Sequence, residues 1–126
     1  MAHGDRIPDQ DYVYRPVHRT WLRDDGTPKA GGFKFYKNDN GFCSVDWTKL
    51  CSAEESRGHR PVPSDNAVFQ INAGAARRDS TIRDVIHLDD ADWPPHSGIY
   101  PEDDELSVQR ALQDLAEPVL GLEDTT

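Results

Sequence analysis

A chain of 126 residues with 36% hydrophobic residues holds one domain with a modest core, and its three Trp, four Tyr and four Phe exclude a fully disordered chain. The 23 acidic against 14 basic residues give a net charge of -9 and a pI near 4.8. With no basic cluster beyond Arg77, Arg78 and Arg83, nucleic-acid binding is not expected.

Aspartate outnumbers glutamate 17 to 6, and arginine outnumbers lysine 10 to 4. Acidic, lysine-poor surfaces stay soluble when salt screens charge repulsion, so the composition reads as salt-adapted. No window approaches 18 apolar residues and the N-terminus carries no apolar leader segment. The expectation is a soluble, cytoplasmic protein without a membrane span. Cys43 and Cys51 stand eight apart with no second pair, which indicates neither a zinc knuckle nor a disulfide framework. They read as reduced core thiols, a bridge between them being left open.

Residues 1–11 are polar and are expected to form a flexible arm. Residues 12–19 alternate as a strand, and Pro16 within it suggests an edge strand or a bulge. Asp-Gly and Gly-Gly pairs make residues 24–32 a loop. Residues 33–37 and 42–47 read as two antiparallel strands joined by an Asn-Gly turn at 38–41. Ser52 followed by Glu55 matches a capping box and opens a short helix that Gly58 ends. After a proline-containing loop at 59–66, residues 67–72 form the clearest strand, expected at the centre of the sheet. A helical turn at about 73–79, a strand at 82–88 and a proline-rich turn at 93–101 follow.

Val108, Ala111, Leu112, Leu115, Ala116 and Val119 share one face of a helix predicted over 106–117. Glu102, Asp103, Asp104 and Glu105 sit at its positive end, and Pro118 ends or kinks it. Residues 120–126 read as a tail. The organisation is therefore a single domain over 12–119. Its class is α+β, with a mostly antiparallel sheet covered on one face by a C-terminal amphipathic helix.

The candidate chemistry lies where polar groups are set among aromatics, because such groups are costly to bury without partners. Residues 12–21 carry Arg15, His18 and Arg19. Residues 42–47 carry Ser44 and Asp46, and a stiff turn holds His96. His18, Ser44 and His96 are the candidate catalytic groups. Arg15, Arg19 and Asp46 are the candidate ligand-binding groups. Ser44 and Asp46 occupy alternate strand positions on one face, and a histidine would complete a hydrolase set, although no Gly-x-Ser-x-Gly elbow surrounds the serine. Asp89, Asp90 and Asp92, with His87 and His96, are rich in oxygen donors for a divalent metal. In so aspartate-rich a chain a solvated strand end explains them as well, and no metal site or cofactor is assigned.

His18 and Thr20 have the His-x-Thr form that resembles two-histidine phosphoesterases, but His96 lacks the matching hydroxyl at the third position. Arg15 on an early strand, followed by Ser44 on a later one, resembles the ADP-ribosyltransferase layout. That resemblance implies an NAD-type site, with Glu102, His87 or His96 as the late residue. The order Tyr-Arg-x-x-His, Cys-Ser-Val-Asp-Trp and Pro-x-His-Ser over residues 12–100 is similar to small prokaryotic proteins of unassigned function. It implies one small domain with a polar cleft. Two functions are expected from these residues. One is a partner-binding accessory module of the antitoxin or immunity kind. The other is a small enzyme with a nucleotide-type site lined by Arg15, His18, Ser44 and His96. Convergence of these side chains would favour the enzyme, and their dispersal the module.

Overall fold

A computed structural model describes residues 5–34, 41–88 and 90–122. Six strands form one antiparallel sheet: β1 (Tyr12–His18), β2 (Cys43–Trp47), β3 (Asn66–Asn72), β4 (Ile82–His87), β5 (His96–Pro101) and β6 (Glu117–Leu120), in the order β4-β5-β2-β1-β3-β6. The helices are α1 (Ala53–Gly58), α2 (Ala73–Arg78) and α3 (Glu105–Leu115). The α+β class and the C-terminal helix agree with the sequence pattern.

Local chemistry sets the helix starts. Ser52 and Glu55 form both halves of the capping box on α1. The Asn72 side chain accepts the Ala75 N–H at the start of α2, and Asp104 accepts the Ser107 N–H at the start of α3. Strand register sets the faces. Val13, Arg15 and Val17 pair with Ile71, Phe69 and Ala67 and point to one side. That side carries the main core, with Cys43, Val45, Ile99, Val85, Val108 and Leu112. α2, α3 and a short 3-10 turn at Ala30–Phe33 cover it. The other side carries Ser44, Asp46 and His96, and α1 packs there against β1 and β3.

Several expectations are corrected by the packing. Strand β3 lies between β1 and β6, so β1 and β2 hold the centre instead. β1 is internal despite Pro16. The Tyr12 carbonyl accepts the Thr48 N–H, so even-numbered residues of β1 turn their amides toward β2, and that ladder ends at Tyr14. The missing N–H of Pro16 thus falls just past the last ladder bond.

The polar N-terminal stretch expected as an arm is in part docked. Ile7 is 0% exposed in the core. Its N–H donates to the Val85 carbonyl, and Arg6 bridges to Ile86 beside β4. Gly74 permits the close approach, since a Cβ there would lie 2.8 Å from the Asp9 carbonyl oxygen. Arg77 fixes the segment by bonding both Asp9 and Asp84.

Helix α3 stops at Leu115, and Glu117–Leu120 pairs with β3 as an edge strand. Val119 therefore belongs to that strand and not to the helix face. Phe33 lies in the 3-10 turn, so it does not begin a strand, and the rest of the expected 33–37 strand and most of its turn lie outside the described residues. Cys43 and Cys51 are free and buried. No helix among the described residues is long and apolar enough to cross a membrane.

Candidate functional site

Ser44 and Asp46 sit on adjacent outward positions of β2, opposite Gly98 and His96 of β5. His96 is therefore the diagonal cross-strand neighbour of Ser44. Its Nε2 lies 2.9 Å from Ser44 Oγ. On its other side, Nδ1 lies 3.1 Å from Asp90 Oδ2. An ionised carboxylate only accepts, which assigns the imidazole proton to Nδ1 and leaves Nε2 to accept the serine O–H. The three groups form a Ser-His-Asp relay of the kind that activates a serine nucleophile.

The turn between β4 and β5 aims the acid. Asp90 Oδ1 accepts the backbone N–H groups of Asp92 at 3.0 Å and Trp93 at 3.3 Å, which turns Oδ2 toward His96. Partial burial pushes the Asp90 carboxyl up, but the bonds from Asp92, Trp93 and His96 outweigh it. The group is held below the usual carboxylate range and stays ionised at neutral pH. Beyond it, the Pro95 carbonyl accepts the Trp47 N–H and the Ser97 hydroxyl, locking the turn onto β2.

Asp46 has a separate task. It is buried, accepting the Ser56 hydroxyl at 2.5 Å and the Trp93 indole N–H at 2.9 Å. It ties α1 and the 90–96 turn to β2. The Trp93 ring in turn stacks on His59, with centroids 4.1 Å apart and planes 10° from parallel. Ser44, Asp46, His59, Arg60, Asp90 and His96 line one cavity of about 150 Å³.

The expected site is therefore only partly assembled. Ser44, Asp46 and His96 converge. Arg15 lies 5% exposed on the opposite face of the sheet, donating through Nε to the Gly32 carbonyl and through Nη1 to the Ser44 carbonyl. His18 lines a neighbouring cavity with Arg60, and Arg19 pairs with Asp65 beside it. His18 and His96 thus line different cavities. His87 is spent bracing the turn, with Nε2 2.6 Å from the Pro94 carbonyl and its ring against Trp47. Glu102 pairs with Arg83. Among the described residues no group of three His, Cys, Asp or Glu side chains is arranged for a metal, and Asp89 lies outside those residues.

Sequence reasoning missed Asp90 as the partner of His96, and His59 and Arg60 as walls. The signal for Asp90 was its position two and three residues before Asp92 and Trp93, the spacing of an Asx turn. The cysteines offer no competing nucleophile. Burial, with Asp46 and Glu55 nearby, pushes the Cys51 thiol up to about 12, and burial also raises Cys43. No family model matches the chain, and no curated protein or solved structure matches it.

Proposed function

We propose that this protein is a small serine hydrolase acting on an ester or thioester. The observation that carries the reading is the continuous relay from Ser44 Oγ through His96 to Asp90. Ser44 Oγ attacks the acyl carbon while its proton passes to His96 Nε2. The carbonyl electrons move to oxygen, and the resulting negative charge faces Arg60 across the small cavity. Collapse expels the alcohol or thiol, which takes the proton from His96 and leaves an acyl-serine. Water then repeats the sequence, with His96 as base, and releases the acid and free Ser44. Asp90 holds the imidazole in the productive tautomer throughout.

A fluorophosphonate probe tests this directly. Intact-protein mass spectrometry of the labelled wild type should show one adduct, mapped to Ser44. S44A should take none, and H96Q should label at least a hundredfold more slowly, as expected for loss of a general base. Absence of the adduct, or equal labelling of S44A, overturns the reading.

The partner-module reading draws on the edge strand β6, where Val119 is exposed and Leu122 follows it exposed. It gains only if the probe fails and V119K disrupts a complex that the wild type forms.

A further inference from the structure

A second concavity adjoins the serine cavity and shares Arg60 with it as a wall. Its volume is about 230 Å³, and His18, Arg60, Pro61, Val62, Asp65 and Asn66 line it. His18 projects from the end of β1, and its Nδ1 accepts the Thr20 N–H at 3.2 Å. That bond places the proton of the neutral ring on Nε2, as a donor. The nearest acidic oxygen, Asp65 Oδ2, is 3.8 Å from Nε2, beyond hydrogen-bond reach. Asp65 Oδ1 is engaged by Arg19 at 3.4 Å. Two guanidinium groups and an imidazole donor thus stand against one carboxylate. In a chain of net charge -9, this is a local excess of positive charge. Pro61 and Val62 supply an apolar wall for the carbon chain of a bound group.

We propose that this cavity binds an anionic group, carboxylate or phosphate, on the molecule whose ester is cleaved at Ser44. His18 Nε2–H and Arg60 are its donors, and Arg19 adds long-range attraction. The substrate is then bipartite, with a reactive acyl carbon in the smaller cavity and an oxyanion in the larger one. The second half of the inference rests on the hydrolase reading. The anion site itself does not.

The test uses the full-length protein, titrated at constant ionic strength with disodium succinate and, separately, with inorganic phosphate. Side-chain ¹H–¹⁵N spectra report on His18. Expected is a saturable shift of the His18 resonances with at least one of the two anions, and the tighter of the two identifies the source of the oxyanion. Sodium chloride should give no saturable shift. D65N, which removes the one opposing carboxylate, should bind at least threefold more tightly. R60A should bind at least tenfold more weakly. No saturable shift with either anion overturns the site, as does weaker binding in D65N or a response that chloride reproduces. Running S44A in parallel separates the two readings. A persisting His18 shift without Ser44 labelling in the wild type removes the hydrolase and keeps the anion site. Labelling without the shift does the reverse.

Discussion

Arg15 and Ser44 meet where the ladder between β1 and β2 parts. The Arg15 Nη1 donates to the Ser44 carbonyl at 2.8 Å, while its Nε donates to the Gly32 carbonyl at 2.9 Å. Extending the observed register of Val13 with Trp47 and Tyr14 with Asp46 sets Pro16 opposite Ser44. Pro16 has no N–H to give, so the guanidinium donates in its place. A buried charge is tolerated here because it satisfies carbonyls that the proline and the 3-10 turn leave open.

That relationship predicts a coupling. Arg15→Met should destabilise by about 2–4 kcal/mol, because two buried carbonyls lose their donors. Pro16→Ala restores an N–H opposite Ser44. The double variant should therefore be less unstable than the sum of the two single changes by about 1 kcal/mol. Urea melts of the four proteins measure it, and strict additivity would show that Arg15 and Pro16 act independently.

Much of the fold was legible because it rests on local chemistry. The Ser52–Glu55 box, the alternation through Val13, Arg15 and Val17, and the Val108–Leu112 face all report short-range patterns. What was not legible depends on who lies next to whom. Pro16 argued for an edge, and only the register shows that its missing donor falls past the last ladder bond. Residues 5–11 looked like an arm because their side chains are mostly polar. One apolar residue, Ile7, and the pairing of Arg77 with Asp9 hold the segment down. In the site, Ser44 and Asp46 were visible on one face, and Asp46 was the obvious acid. The sequence could not say that Ser56 and Trp93 occupy it, leaving the work of orienting His96 to Asp90.

Helix α3 offers a contrast between its buried face and its first turn. Leu112 is 0% exposed in the core, so Leu112→Ala should cost about 2–5 kcal/mol through lost burial and the cavity left behind. Glu105 accepts a bond from Gln109 one turn on, and Glu105→Ala should cost well under about 1 kcal/mol. Asp104 caps the helix through the Ser107 N–H, and Asp104→Ala should fall between them at about 1 kcal/mol. Urea midpoints that rank these three differently would mean the helix is packed on another face.

Asp84 gives the protein an acid-sensitive clasp. Burial alone would raise its carboxyl, but the bonds from Arg77, the Val85 N–H and Arg6 outweigh burial and hold it below the usual carboxylate range. A carboxylate with a depressed folded-state pKa adds stability above its unfolded value of about 3.9. That stability is lost as pH falls through the lower folded value. Wild type should therefore exceed Asp84→Asn in stability at pH 7, and the gap should close below pH 4. Guanidinium melts at several pH values check this. A gap that stays constant to the lowest pH would show that Asp84 contributes through shape and not through its charge.

The last prediction concerns salt, where two electrostatic effects oppose each other. Exposed pairs such as Arg83 with Glu102 and Arg19 with Asp65 are weakened by screening, but each is worth only about 0–1 kcal/mol. The repulsion within a chain of net charge -9 is relieved at the same time. The excess of 23 acidic over 14 basic residues makes relief the larger effect. The thermal midpoint should therefore rise as potassium chloride is added. Screening alone is nearly complete by about 1 M, where the Debye length has shrunk to about 3 Å. A rise confined to the first few hundred millimolar would express charge relief only. A rise that continues into the multimolar range is the behaviour of a salt-adapted surface, and it is the expected result here, given the predominance of aspartate and the scarcity of lysine. Melts from 0.05 to 3 M potassium chloride distinguish the two. An unchanged or falling midpoint would show that the acidic surplus is compensated locally and that the salt-adapted reading of the composition is wrong.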